Sequence, residues 1–271
     1  MARLTLSEIW IYPIKSLAGI RLSCATVMRK GLQYDRRWML VDEAGRFITQ
    51  REHPEMALFK VTIEKEKLLV KSLINTEAPE SILIDLVPTN NEQASKVRIW
   101  DDEVEAVEAN PEHSHWFSEK LKFDCKLVFF PEGNKRDIDP KYAHEKEQVS
   151  LADGYPFMII GQSSLDDLNS RMKVVLSMRR FRPTFVFTGG APFEEDNWKF
   201  FRIGKNKFKG VKLCARCVLP TVDPDTGIKG KEPLATLATY RNVNNKILFG
   251  QNLIPIDYDE VCEGDEIELE G

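Results

Sequence analysis

The sequence predicts a mainly β chain with a few helices (α+β), folded as an N-terminal β-barrel-like domain followed by a second β-barrel domain. Two observations carry that class. Short apolar runs bounded by turn residues recur through the first 86 positions and again toward the C-terminus. Helical periodicity with a start signal is confined to three places. A third observation sets the scale: 271 residues, 42% hydrophobic and 30% charged, suit one large or two modest domains with a real core.

Within residues 6–86, the runs I-W-I-Y, R-W-M-L-V-D, K-V-T-I and S-I-L-I-D-L read as strands. Residues 60–70 alternate well enough for a hairpin turning at 64–67, and 97–107 suggest another turning at Asp101 and Asp102. Asn110 followed by Pro111 opens a helix, because asparagine caps free N–H groups and proline tolerates the first helical position. Trp116, Phe117 and Leu121 supply its apolar face. A second helix is expected to start near Ser163 as its cap, with Asp166 in the first turn and Leu165, Leu168 and Met172 on one side. A short third helix covers 233–240, where Leu234, Leu237 and Tyr240 recur. R-P-T-F-V-F, K-I-L-F-G and D-E-I-E-L-E again read as strands. The polar stretch 89–95 and the segment 131–146 are soft boundaries, and a division between them gives domains 1–125 and 126–271.

A formal net charge of -4 argues against a nucleic-acid partner held by a generally basic surface. The opening M-A-R-L-T-L-S-E-I-W reaches Glu8 before any long apolar run, so neither a signal peptide nor a membrane anchor is expected, and the chain reads as cytoplasmic. Cys24, Cys125, Cys214, Cys217 and Cys262 form no dense, even framework, which fits a reducing compartment. His113 and His115 sit two apart on a helix, so their side chains diverge; with His53 and His144 they read as surface residues.

Residues 213–227 read L-C-A-R-C-V-L-P-T-V-D-P-D-T-G and place thiols, a fixed cation and two carboxylates close together. A soft metal suits such a stretch, since cysteine binds metal as the thiolate and Arg216 would oppose the charge on sulfur. Pro220 interrupts the chain soon after Cys217, so neither cysteine opens a helix as in a thioredoxin-type C-x-x-C. Structural zinc needs about four ligands, and the missing pair is hard to find. Asp223 and Asp225 flank Pro224 ahead of Thr226 and Gly227, a turn signature that accounts for both carboxylates. The alternative is that the turn sets the direction of Cys217 or supplies a proton-handling carboxylate.

Basic residues stand beside strand-like sequence elsewhere. Y-P-I-K-S places Lys15 and Ser16 at a turn, D-R-R-W offers Arg36, T-Q-R offers Arg51 and R-R-F-R-P-T-F offers Arg182. Each alone reads as solvated or ion-paired at the surface. Together they could hold a phosphate, at roughly 1.5–3 kcal/mol for each hydrogen bond to a charged group.

Y-P-I-K-S, D-R-R-W, F-R-P, E-D-x-W at 195–198, R-C-x-x-x-T-V-D-P-D-T-G and F-G-Q-N at 249–252 occur together and in order. On these motifs the chain resembles the MOSC proteins over nearly its whole length. It is most similar to the group with an N-terminal MOSC β-barrel domain before the MOSC domain, to which the mitochondrial amidoxime reducing components and their bacterial relatives belong. The resemblance implies a molybdenum cofactor (Mo-molybdopterin), with the metal-ligating thiolate at Cys217 rather than Cys214. It places Lys15, Ser16, Arg36, Arg182 and, more loosely, Arg51 around the pterin and phosphate, with Arg216 beside the ligand.

The implied activity is reduction of N-hydroxylated compounds such as amidoximes and hydroxylamines. Electrons would come from a separate transfer protein, ferredoxin-like or a cytochrome or flavoprotein, and Asp223 or Asp225 would assist proton delivery. The alternative is a sulfur or molybdenum cofactor carrier using Cys217 as a persulfide, as in cofactor sulfurases. Those chains add a large pyridoxal-phosphate domain with no room here, so pyridoxal phosphate binding attaches only to the domain family. Three departures stand out: no targeting or membrane segment, which suits a soluble bacterial version; no iron–sulfur domain at the end; and Thr184 after F-R-P, where the family often has asparagine.

Overall fold

A nine-stranded sheet carries the second half of the chain, and two of its strands come from the first. The computed structural model describes residues 3–74, 80–88, 94–143 and 145–270. The main path runs Ile267–Glu270, Phe200–Ile203, Asn206–Ala215, Lys246–Pro255, Phe157–Gly161, Phe185–Thr188, Thr5–Ile11 and Ile20–Leu22, with Asn242–Val243 beside Lys246–Pro255. Its neighbours are antiparallel except Phe157–Gly161 with Phe185–Thr188. That parallel pair needs a crossover, which the helix Gln162–Ser170 supplies. Leu6, Ile9 and Ile11 are fully buried although a strict alternation would expose one of them; a register shift between Leu6 and Glu8 resets the phase.

The strands come from residues that bury well on a pleated surface. Phe157, Phe185, Phe187, Phe201 and Phe208 are all at most 1% exposed and pack with Trp198 in one core. Phe157 and Phe185 stack at 5.6 Å with Phe208 edge-on to both. Burying each such ring is worth roughly 1.5–3 kcal/mol. A second core under the first half gathers Ile14, Leu17, Trp38, Phe59 and Phe117.

The mainly β expectation holds, but the named strands form no closed barrel. Three backbone hydrogen bonds draw the ends of the main sheet together instead, from Leu6 N to Asp265 O, Gly264 N to Leu6 O and Ile267 N to Leu4 O, at 2.8–2.9 Å. The first half is built from smaller sheets. Phe59–Glu64, Lys67–Ser72 and Ser81–Asp85 form a meander, Ser95–Ile99 pairs with Asp102–Ala106, and Trp38–Val41 pairs with Lys126–Phe129. Both hairpins expected from alternation are therefore present.

The helix Pro111–Leu121 starts as read, with the Asn110 side chain accepting from Glu112 N at 2.9 Å. The helix Gln162–Ser170 does not. Its cap is Gly161, without a side-chain bond, and Ser163 lies inside it. The reason is tertiary: a Cβ at Gly161 would sit 2.9 Å from the Phe187 ring, and Ser164 hydrogen-bonds the buried Glu195 carboxylate. The third helix is confined to Leu234–Ala238.

His115 and His53 carry exposure in line with the sequence reading, His53 only in part and against the Phe123 ring at 4.4 Å. His113 corrects it: the ring is half-buried, its Nδ1 has no partner, and burial pushes its pKa down. His144 and residues 89–93 of the soft boundary lie outside the described residues. Two cysteines also depart from expectation, since Cys24 and Cys262 form a disulfide. They are directly opposed in the pairing of Cys24–Met28 with Glu260–Cys262, a juxtaposition hidden by 238 positions of sequence. Among the described residues no helix is long and apolar enough to cross a membrane.

Gly210 marks where the main sheet tolerates no side chain. A Cβ there would lie 2.2 Å from the Trp198 carbonyl and 2.6 Å from the Gln251 amide. Gly210→Ala is expected to cost about 1–3 kcal/mol in urea unfolding.

Candidate active site

The chain turns at 12–17, directly after its first strand. Ile14 bridges to Trp38, Lys15 N donates to the Trp38 carbonyl at 2.8 Å, and Ser16 takes a left-handed φ of 69°. This turn carries the Lys15 side chain inward to 6% exposure. Its Nζ donates to Leu151 O at 2.9 Å and to Asp153 Oδ1 at 2.6 Å. Burial pulls the Lys15 pKa down to about 8, against the opposing pull of Asp153. Burial also disfavours ionised Asp153, but Lys15 outweighs it and holds that carboxyl well below the usual carboxylate range. Asp153 keeps 58% of its side-chain exposure, so one side of the pair faces water.

Arg36 and Arg182 meet on one ring. Their guanidinium carbons lie 4.2 and 4.1 Å from the centroid of Tyr12, which is 2% exposed. Arg36 donates to the buried Asp35 at 2.6 Å, and Arg182 donates to Leu17 O at 2.7 Å. Tyr12 is itself fixed, its hydroxyl donating to Pro183 O and its backbone N–H to Asp35. Burial pushes the Tyr12 pKa up to about 12 and draws that of Arg182 down to about 10, so both keep their usual charge at neutral pH. Ser16, Arg36 and Arg182 all adopt positive φ, at 69°, 49° and 53°. Left-handed backbone at a non-glycine residue costs of order 1–3 kcal/mol, and three of the ten such residues among the described ones lie here.

Arg51 stacks on Trp100 at 4.3 Å. Arg216 follows the long strand Asn206–Ala215 and donates to Phe181 O at 2.5 Å, Met158 Sδ at 2.9 Å and Cys214 Sγ at 3.2 Å. Of the two thiols, it is Cys214 that Arg216 hydrogen-bonds. Cys217 is exposed just before the 3-10 turn Leu219–Thr221.

Lys15, Ser16, Arg36, Arg51, Arg182, Arg216 and Cys217 line one cleft. The structure thus brings together every cation singled out in the sequence, from segments up to 200 positions apart. Cys214, Thr49, Asp153, Thr184 and Asn252 line it too. Thr184, the departure noted after F-R-P, accepts from Met158 N through its hydroxyl. Asp153 was missed: only an Asp153-Gly154 turn signal marks it, and its partner Lys15 is remote in sequence.

Asp223 and Asp225 are not in the cleft lining. Asp223 Oδ1 accepts from Asp225 N at 3.0 Å and Thr226 N at 2.9 Å, closing the turn, while Oδ2 accepts from Arg180 at 2.6 Å. Asp225 takes a bidentate bond from Arg179 and one from Lys60. Burial opposes ionisation of Asp223, but the turn N–H groups and Arg180 win and lower its pKa; the Arg179 hydrogen bond lowers that of Asp225. Both carboxylates are thus engaged by arginines in the turn that follows Cys217, outside the cleft lining. Among the described residues the one cluster of three potential metal ligands is Cys24, Glu260 and Cys262, whose two cysteines are already joined as a disulfide.

Family models agree with this arrangement. Residues 3–124 match the MOSC N-terminal beta barrel domain and residues 146–268 match the MOSC domain. The chain belongs to the MOSC family. It is 34% identical to mitochondrial amidoxime-reducing component 1 of Mus musculus, over 91% of this chain and 75% of that protein. It is 36% identical to mitochondrial amidoxime reducing component 2 of Rattus norvegicus, over 88% and 72%. Molybdenum cofactor sulfurase of Oryza sativa subsp. japonica is 31% identical over 98% of this MOSC chain, which spans about a third (34%) of the sulfurase.

Lys15 gives the MOSC cleft a pH dependence. Its proton leaves the folded chain near pH 8 but the unfolded chain near 10.5, so between these values the unfolded state holds the extra proton and stability rises with pH. Phosphate titrated into the cleft is expected to bind more weakly as pH rises through about 8, where the Lys15 ammonium is lost. Lys15→Met should remove both slopes, read by denaturation and by phosphate titration across that range.

Proposed function

We propose that this MOSC chain binds a molybdenum cofactor through Cys217 and uses it to reduce N-hydroxylated compounds, with electrons delivered by a separate electron-transfer protein. The observation that carries the reading is an exposed thiol sharing one cleft with five cations, Lys15, Arg36, Arg51, Arg182 and Arg216, against a single carboxylate, Asp153. That surplus suits the phosphate of a pyranopterin, and the thiol supplies the soft donor that molybdenum takes. The residues present therefore fit the group.

When bound, the cofactor supplies two-electron chemistry in which N–OH, two electrons and two protons give N–H and water. The chain does the rest. Lys15, Arg36 and Arg182 hold the anionic end, and Tyr12 keeps the two guanidinium groups in place. Cys217 stands where solvent and a small substrate can reach it. Asp223 and Asp225 are held ionised by their arginine partners.

Similarity to molybdenum cofactor sulfurase over 98% of the chain favours one second reading. Cys217 would carry a persulfide: its thiolate attacks the outer sulfur of a donor cysteine persulfide, the S–S bond breaks, and the donor leaves as thiolate without net oxidation.

Elemental and pterin analysis of protein from a cofactor-competent host decides between them. The native chain is expected to retain stoichiometric molybdenum and reduce benzamidoxime, and Cys217→Ala to lose the metal and about a hundredfold or more in turnover. A metal-free native protein with a persulfide on Cys217 and no benzamidoxime reduction would transfer the assignment to the carrier.

A further inference from the structure

Behind Arg182 lies a second cavity, lined by Trp10, Tyr12, Gln50, Lys60, Arg179 and Arg180 among others. Arg182 and Leu219 line both spaces, so the two cavities share a wall. The new cavity joins the halves of the chain: Gln50 and Lys60 come from one side, and Arg179 and Arg180 from the other.

Its charges do not balance. Lys60, Arg179 and Arg180, leaving aside the Arg182 shared with the cofactor cleft, face two carboxylates, Asp223 on Arg180 and Asp225 on Arg179 and Lys60. Among the described residues Arg182 donates a hydrogen bond only to the Leu17 carbonyl. A separate observation points the same way. Gln50 is 4% exposed overall and lines this cavity, and no described residue hydrogen-bonds its amide, which opens onto the cavity. Water could serve the amide, but water leaves the surplus positive charge unanswered.

We propose that this cavity is an oxyanion subsite, taking a carboxylate or phosphate group beside the cofactor cleft. The amide N–H₂ of Gln50 and the Lys60 and Arg179 cations supply the donors, and Asp225 competes with the ligand for both cations. Two sources offer that chemistry: a free anion acting as an effector, or the acidic end of the substrate itself. Only the second source rests on the reductase reading, since binding an oxyanion needs no molybdenum.

Inorganic phosphate titrated into the full chain, followed by the Gln50 side-chain amide resonances and by calorimetry, tests the site. Phosphate is expected to shift those resonances saturably. Lys60→Met should weaken that titration about tenfold, and Asp225→Asn, by freeing Lys60 and Arg179, should tighten it. Lys15→Met, which changes only the first cleft, should leave the Gln50 titration unchanged. A Gln50 amide that stays still at high phosphate, or one whose shift vanishes with Lys15→Met and ignores Asp225→Asn, overturns the proposal. With holoenzyme, an increase in KM of Lys60→Met for 4-carboxybenzamidoxime and not for benzamidoxime assigns the subsite to substrate. Phosphate that alters benzamidoxime turnover without competing assigns it to an effector.

Discussion

Positive side chains gathered in one cleft repel each other, and holding them there is the constraint from which the surrounding structure follows. Two unit charges about 5 Å apart near a protein surface repel by about 3 kcal/mol. Four of the five cations have a hydrogen-bond partner that offsets the repulsion without filling the cleft, and Arg51 stacks on Trp100. Lys15 has Asp153 and the Leu151 carbonyl, Arg36 has Asp35, Arg182 has the Leu17 carbonyl, and Arg216 has that of Phe181. Tyr12 serves Arg36 and Arg182 at once with a ring that carries no formal charge. The left-handed backbone at Ser16, Arg36 and Arg182 belongs to the same solution, since it turns three separate loops toward one point. Strain of this kind persists only where the surrounding packing over-determines it, and the aromatic cores on either side provide that packing.

Several motif residues that touch nothing in the cleft hold its floor. Glu195 is fully buried and accepts from Gly161 N and the Ser164 hydroxyl, which fixes the crossover after Phe157–Gly161. Gln251 donates to the Trp198 carbonyl across the strand that bears Gly210. Phe249 stacks on Phe181 at 4.3 Å, one residue before Arg182. E-D-x-W and F-G-Q-N thus act through the sheet, and Asn252 alone among those residues reaches the cleft.

What was legible in the sequence was either local or motif-borne. The hairpins follow from alternation within a dozen residues, and the first helix from Asn110 and Pro111. Lys15, Ser16, Arg36, Arg51, Arg182 and Cys217 were found because their motifs travel together, not because any spacing revealed convergence. The rest depended on contacts between remote positions. The start of the second helix is decided by Phe187 against Gly161, the Cys24–Cys262 bond by strand register, and the role of Asp153 by a lysine 138 positions away. Tyr12 lay inside Y-P-I-K-S, yet nothing in those letters says that two arginines will share its ring.

The carboxylates of T-V-D-P-D-T-G illustrate how a residue outside a site can still set its geometry. Asp223 closes its own turn through two backbone N–H groups and reaches across to Arg180, two residues before Arg182. Arg216, next to Cys217, reaches back to the carbonyl of Phe181, also adjacent to Arg182. The segments 179–182 and 216–223 are thereby tied at two points, one on each side of the thiol. The sulfur that would meet the metal and the guanidinium that would meet the phosphate are held in one fixed relation, although 35 positions of chain separate Phe181 from Arg216. A carboxylate working in this way needs to remain ionised and paired, the opposite of what proton delivery would ask of it. The lowered pKa values of Asp223 and Asp225 therefore suit a positional role.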